Sequence, residues 1–351
     1  MKMIYSKKLP DFLWRTLLLA LPFSSLPLLS DAIGGTSVAP LSFIPMALLL
    51  IFWWLPDFIN RKMFLSYHLK PILLFIFVGV ISTLFAGLRE IPSYRNTFWW
   101  KQIAEVFVTL FMGLGFYLIT IYMVKDPKNL RITIIFITVA GITTILYSLL
   151  QYGSWIFLNK YPEWMKSFQS LISSSGKLYD RRATGFAFEP SWLAHQLNML
   201  YIPLWLGMTV KKISIFKRKL FNKFPYELVL CALAFLSLFI SFSRIGWITG
   251  IILMAYVAFR YTFQWVVKTS QRSEYKNFSK KEERLFFVKT WGRLVLFFVS
   301  IIFIAGIILS TIDPRMAALF DIQRIVDAGF MGWASKLGFA ERIVYWWAAY
   351  N

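Results

Sequence analysis

The chain has 351 residues, of which 58% are hydrophobic and 19% aromatic, and its mean hydropathy is +0.60. These values exclude an ordinary soluble domain, because apolar stretches long enough to cross a bilayer recur along the sequence. A formal charge of +21 would suggest nucleic acid in a soluble protein, but here the Lys and Arg residues lie mostly between the apolar stretches, where they set membrane topology; no nucleic-acid partner is expected.

At the N-terminus, Lys2, Lys7 and Lys8 precede an apolar run that resembles a signal peptide. The run is long, contains Pro22 and Pro27 and lacks a small-residue cleavage site, so it reads as the first membrane helix and the only proline-interrupted one. Spans are expected over residues 13–30, 38–58, 71–88, 101–124, 131–151, 191–210, 225–243, 245–263 and 291–311. They must be helices, since each lipid-facing amide needs a partner within its own segment and the alternation of a membrane barrel is missing. The expected fold is therefore an all-α, polytopic membrane protein of about nine helices. Residues 1–151 form a five-helix region, and residues 152–351 form the region that carries the long loops.

Charge gives the orientation. Residues 211–223 hold six basic side chains and residues 260–293 hold nine, which places both on the cytoplasmic side together with the N-terminus. The hairpin between them then turns outward at SFSRIG, residues 241–246, and the last forty residues also lie outside.

Three connections are long. The inner one, 264–290, is rich in Lys, Glu and Ser and reads as a solvated or headgroup-contacting segment. The outer loop, 152–190, carries Trp155, Phe157, Tyr161, Trp164, Phe168 and Tyr179 among a few charges, which suits the membrane surface or packing on the helices. The outer tail, 312–351, mixes charged and apolar residues at near-helical spacing and ends in IVYWWAAYN, as though a further helix were beginning; the chain reads as a fragment.

Chemistry is concentrated in RRATGFAFEPSWLAH, residues 181–195. Arginine on the outer side works against the positive-inside bias, and its simplest role is to reach phospholipid phosphates. Arg182, Arg244 and Arg342 have a further claim. They stand, respectively, at the head of RATGFAFEPS, at the hairpin tip and before an aromatic helix, and a guanidinium grips two phosphate oxygens of a diphosphate with one planar fork. Glu189 precedes Pro190 at a helix start, where it either pairs with an arginine or takes a proton from an acceptor hydroxyl. His195 lies six residues further on and either shares that cavity or lines a polar face. Two histidines and one cysteine supply no metal cluster, and no phosphate-cradling glycine loop occurs, so no metal, nucleotide or other cofactor is expected.

These segments resemble the bacterial O-antigen ligase and O-antigen polymerase superfamily. The likeness rests on RRATGFAFEPSWLAHQLNMLYIPL from Arg181, SFSRIGW from Ser241 and GFAERIVYWWAAYN from Gly338, in that order; it covers residues 130–351. It implies a GT-C-like membrane glycosyltransferase that takes glycan from undecaprenyl diphosphate at the outer face of the cytoplasmic membrane, with the arginines on the lipid diphosphate. The acceptor is another lipid-linked glycan for a polymerase, or a lipid A core or protein for a ligase. The glutamate of FEPS favours the polymerase, whereas ligases more often carry an Asn-Pro-Asn-like segment there. The histidine that the family carries in its last outer loop is expected beyond residue 351. The competing class is a flippase for lipid-linked oligosaccharide, which should place ionisable groups near the bilayer midplane rather than at span ends.

Overall fold

A computed structural model describes residues 8–32, 37–60, 67–88, 99–216 and 225–270, with isolated positions between 288 and 327. Among the described residues the structure is mostly helical with no strand; only two isolated bridges occur, Ser25 with Ala39 and Tyr179 with Arg182. Most of the expected span 291–311, of the 264–290 loop and of the 312–351 tail lies outside the described residues, as does Arg342.

Helix α1 (Lys8–Ala20) buries Leu13, Trp14, Leu17 and Leu18, pairs spaced four apart that form one face. That face packs on Met46 and Leu49 of α3 (Phe43–Leu49) and on Ile119 and Met123 of α6 (Trp99–Met123). Trp14 Nε1 donates to Thr133 Oγ1 of α7 (Pro127–Leu158) at 3.0 Å.

The first expected span is not a single helix. After Ala20 the chain unwinds between Pro22 and Pro27 and resumes only as the short α2 (Pro27–Ala32). Proline removes an N–H and crowds the preceding turn. The freed backbone is paired elsewhere: Leu26 N donates to Ala39 O at 2.7 Å and Leu41 N to Phe23 O at 3.0 Å.

Nor is that stretch the only one shaped by proline. Residues 43–59 run as α3, a π turn (Leu50–Trp54) and α4 (Leu55–Ile59). Residues 190–211 run as α9 (Pro190–Gln196), a π turn (Leu197–Tyr201) and α10 (Ile202–Lys211). Each π turn ends two residues before a proline, Pro56 or Pro203. The extra residue in the turn displaces the carbonyl four positions back, which the proline ring would otherwise meet, so the helix continues.

Among the described residues, two helices, Ile103–Met123 and Pro127–Leu158, are long and apolar enough to cross a membrane; Phe43–Ile59, Lys70–Ala86 and Tyr226–Ile240 are shorter and apolar. Helix α5 (Lys70–Ala86) exposes Leu74, Phe75, Phe77, Val78, Leu84 and Phe85. Helix α7 is the central post. Its Thr138 accepts from Trp205 Nε1 at 3.2 Å, and its Ser148 donates to Ser237 of α11 (Tyr226–Ile240) at 3.0 Å. The chain divides into two compact units, Met1–Gly246 and Trp247–Asn351, with α12 (Arg244–Ser270) beginning in the first; the site described next belongs to the first unit.

Candidate functional site

The 173–189 segment is fastened at one end of α7 by buried amides. Gln151 Oε1 accepts from Gly185 N (2.8 Å), Thr184 N (3.0 Å) and Thr184 Oγ1 (3.3 Å), while its Nε2 donates to Gly185 O (3.3 Å) and to Gln169 Oε1 (3.2 Å). Gln169 belongs to α8 (Glu163–Ile172), whose Met165, Gln169 and Ile172 form its inner face. Gly185 has φ +56°, a conformation open to glycine, and this brings two successive N–H groups onto one oxygen. Beneath the segment, Phe186 stacks on Tyr147 and on Phe23, with ring centroids 4.8 Å apart in each case. The proline-broken stretch of the first expected span closes the other side: Phe188 N donates to Ser24 Oγ at 2.9 Å, and Ser174 N to Ser25 O at 2.8 Å.

Tyr179 to Arg182 makes a turn, with Arg182 N donating to Tyr179 O at 3.1 Å and Arg181 in the left-handed region at φ 59°. Tyr161 fixes this turn by donating its hydroxyl to Tyr179 O at 2.7 Å. Burial, assisted by the Asp180 charge, pushes the Tyr161 phenol up to about 12. The Arg182 guanidinium lies 5.9 Å from the centre of the Tyr179 ring. The Tyr179 phenol is raised first by burial and then by the Glu189 carboxylate, with Arg182 acting in the opposite sense. Tyr179 thus feels both candidate charges.

Arg182 reaches the hairpin tip that carries Arg244. A helix leaves its last carbonyls without intrahelical donors, and the end of α11 satisfies them one by one. Leu238 O takes Ser241 Oγ (2.6 Å), Phe239 O takes Phe242 N (3.1 Å) and Ile240 O takes Ala183 N (3.0 Å). Ser241 O then takes Arg182 Nε (3.3 Å) and Phe242 O takes Arg182 Nη2 (3.4 Å). Between them Phe242 sits in the left-handed region at φ 49°. Ser243 Oγ accepts from Gly246 N at 3.3 Å, which starts α12 with Arg244 as its first residue, half-buried.

Glu189 is the N-cap of α9, and its Oε1 accepts a short hydrogen bond from Ser191 Oγ. This helix and the π turn that follows it hold the start of α12 close. Asn198 Nδ2 donates to Gly246 O at 2.8 Å, and a Cβ on Gly246 would fall 2.5 Å from Ala194 Cβ, so only glycine admits this approach. His195 is exposed on α9, next to the buried Ala194.

Of the residues singled out by the sequence, Arg182, Glu189 and Arg244 are therefore gathered at one end of the bundle, and His195 stands on its surface. Tyr179, Gln151 and Gln169 were not singled out. Gln151 and Gln169 carried a usable signal as uncharged amides flanked by aromatic and apolar residues, where an unpaired polar group is costly; nothing in the sequence distinguishes Tyr179 from its aromatic neighbours. Comparison with family models, curated proteins and solved structures gives no match to this chain.

Proposed function

We propose that the protein is a multi-pass membrane glycosyltransferase that joins glycan from undecaprenyl diphosphate to an acceptor glycan at the outer face of a bacterial cytoplasmic membrane, as an O-antigen or exopolysaccharide polymerase. The observation that carries this reading is the meeting of two separated segments, the 179–189 stretch with Arg182 and Glu189 on either side of Tyr179, and the α11–α12 turn that leads into Arg244. The apolar residues exposed on α5, α6 and α7 support a bilayer around the helices.

In this reading the acceptor hydroxyl attacks the anomeric carbon as the bond to the diphosphate oxygen breaks. The leaving diphosphate gains negative charge, which Arg244 offsets, the resemblance assigning Arg342 to the same charge; donors aimed at such charge are worth roughly two to three orders of magnitude in rate each. Glu189, already hydrogen-bonded to a hydroxyl at Ser191, takes the acceptor proton, the smaller contribution. His195 is the other candidate base, reached from the exposed side of α9.

The test is chain extension in a cell lacking its own polymerase and ligase, comparing wild type with Arg244→Ala and Arg244→Lys. Single repeats left on the lipid carrier in both variants, with long chains in wild type, support the polymerase. Single repeats that leave the carrier only when wild type is present indicate a ligase acting on lipid A core or protein. Unchanged products in every strain remove the diphosphate role of Arg244 and point to a flippase.

A further inference from the structure

We infer that Arg182 is a positioning residue: it caps the C-terminus of α11 and sets the left-handed Phe242 turn that presents Arg244, rather than gripping the diphosphate itself. The inference deepens the proposed function and rests on it for the role of Arg244, but its structural half stands on the hydrogen bonds alone.

Three observations carry it. Nε and Nη2 of Arg182 are directed at two successive carbonyls, Ser241 O and Phe242 O, and the neighbouring Ala183 N takes Ile240 O. A cation at a helix C-terminus is favoured both by the free carbonyls and by the helix dipole. Phe242, at φ 49°, occupies a conformation that is costly for a side chain with a Cβ, so the turn needs an external hold. The residue after the next is Arg244, whose place at the head of α12 follows from where this turn leaves the chain.

Lysine cannot copy this grip, since one ammonium lacks the planar fork that meets two carbonyls at once. A direct phosphate ligand would tolerate lysine better, as a point charge is still there. Glycine at position 242 lowers the cost of the left-handed turn and should make the clamp less necessary.

The experiment uses the full-length protein in nanodiscs and in the polymerase-deficient cell. Arg182→Ala and Arg182→Lys are expected to speed hydrogen exchange at the amides of Ser243 to Gly246 by about ten-fold or more, the scale of losing charge-assisted hydrogen bonds, and both should cut chain extension as Arg244→Ala does. Phe242→Gly alone should keep most of the activity, and Phe242→Gly placed in the Arg182→Ala background should recover a large part of what was lost. Unchanged exchange in both Arg182 variants overturns the inference whatever the activity does. Faster exchange with no recovery from Phe242→Gly also overturns it, because Arg182 then contacts the substrate. If wild type itself extends no glycan while exchange responds as expected, the glycan reading falls and the clamp stands.

Discussion

Gln151 illustrates how much can hang on one neutral side chain. Its single carbonyl oxygen collects two backbone N–H groups and a hydroxyl from Thr184 and Gly185 in a fully buried setting. Gln151→Ala orphans all of them, so a loss of about 3 kcal/mol is expected, seen as a lower melting temperature in detergent; an unchanged midpoint would mean that the 183–187 segment is held from elsewhere. Tyr161 makes a different prediction. Its pKa of about 12 in the folded chain lies above its ordinary value of 10.0 because of burial and Asp180. The folded state therefore keeps a proton that the unfolded chain releases, and the stabilisation is complete below pH 10 and is lost as pH rises through 12. Over that window the melting temperature of wild type should fall more steeply than that of Tyr161→Phe. Equal slopes would remove Tyr161 as the alkaline-sensitive pin of the Tyr179 turn.

At the scale of elements, close helix approach decides which glycines matter. A Cβ on Gly141 of α7 would lie 2.6 Å from Tyr201 Cδ1 and 2.8 Å from Trp205 Cη2, both on buried rings, whereas one on Gly79 of α5 meets nothing within 4 Å. Alanine gains about 1 kcal/mol of helix propensity at either site. Gly141→Ala should nevertheless destabilise by about 1–3 kcal/mol through overpacking, while Gly79→Ala should be neutral or stabilising; thermal melting of the pair, with the same sign for both, would contradict the close packing of α7 on the 190–211 run. Length and apolarity made most helices legible: 131–151 was expected where Pro127–Leu158 is found, 225–243 where Tyr226–Ile240 is found, and 245–263 where α12 starts at Arg244. What escaped was proline chemistry. Pro22 and Pro27 break a helix, whereas Pro56 and Pro203 are absorbed by π turns, and that difference depends on whether the freed carbonyls find donors in the tertiary structure. Of the candidate site, the charges Arg182, Glu189 and Arg244 could be picked out from the sequence, but the commitment of Arg182 to α11 carbonyls could not, because it joins positions 59 and 60 residues apart.

For the whole molecule, the proposed chemistry stands or falls with the side of the membrane on which the α11–α12 turn lies. The continuous helical run over residues 190–211 connects the Glu189 end to Lys212, which terminates α10 in the left-handed region. At about 1.5 Å per residue this run is about 33 Å long, enough for a hydrocarbon core of about 30 Å, so Lys177 and Lys212, both exposed, should label from opposite sides. Cys231 is the one cysteine and is buried, which allows a Cys231→Ala background for single-cysteine labelling with a membrane-impermeant maleimide. The basic residues between 211 and 223 predict that Lys177→Cys reacts in intact cells and that Lys212→Cys reacts only after permeabilisation. The reverse pattern would put Arg182, Glu189 and Arg244 in the cytoplasm, away from glycan already displayed on the outer leaflet, and would end the polymerase and ligase readings together. Labelling of both positions in intact cells would mean that the run does not cross the membrane, and the exposed apolar residues of α5 to α7 would then need a partner other than lipid.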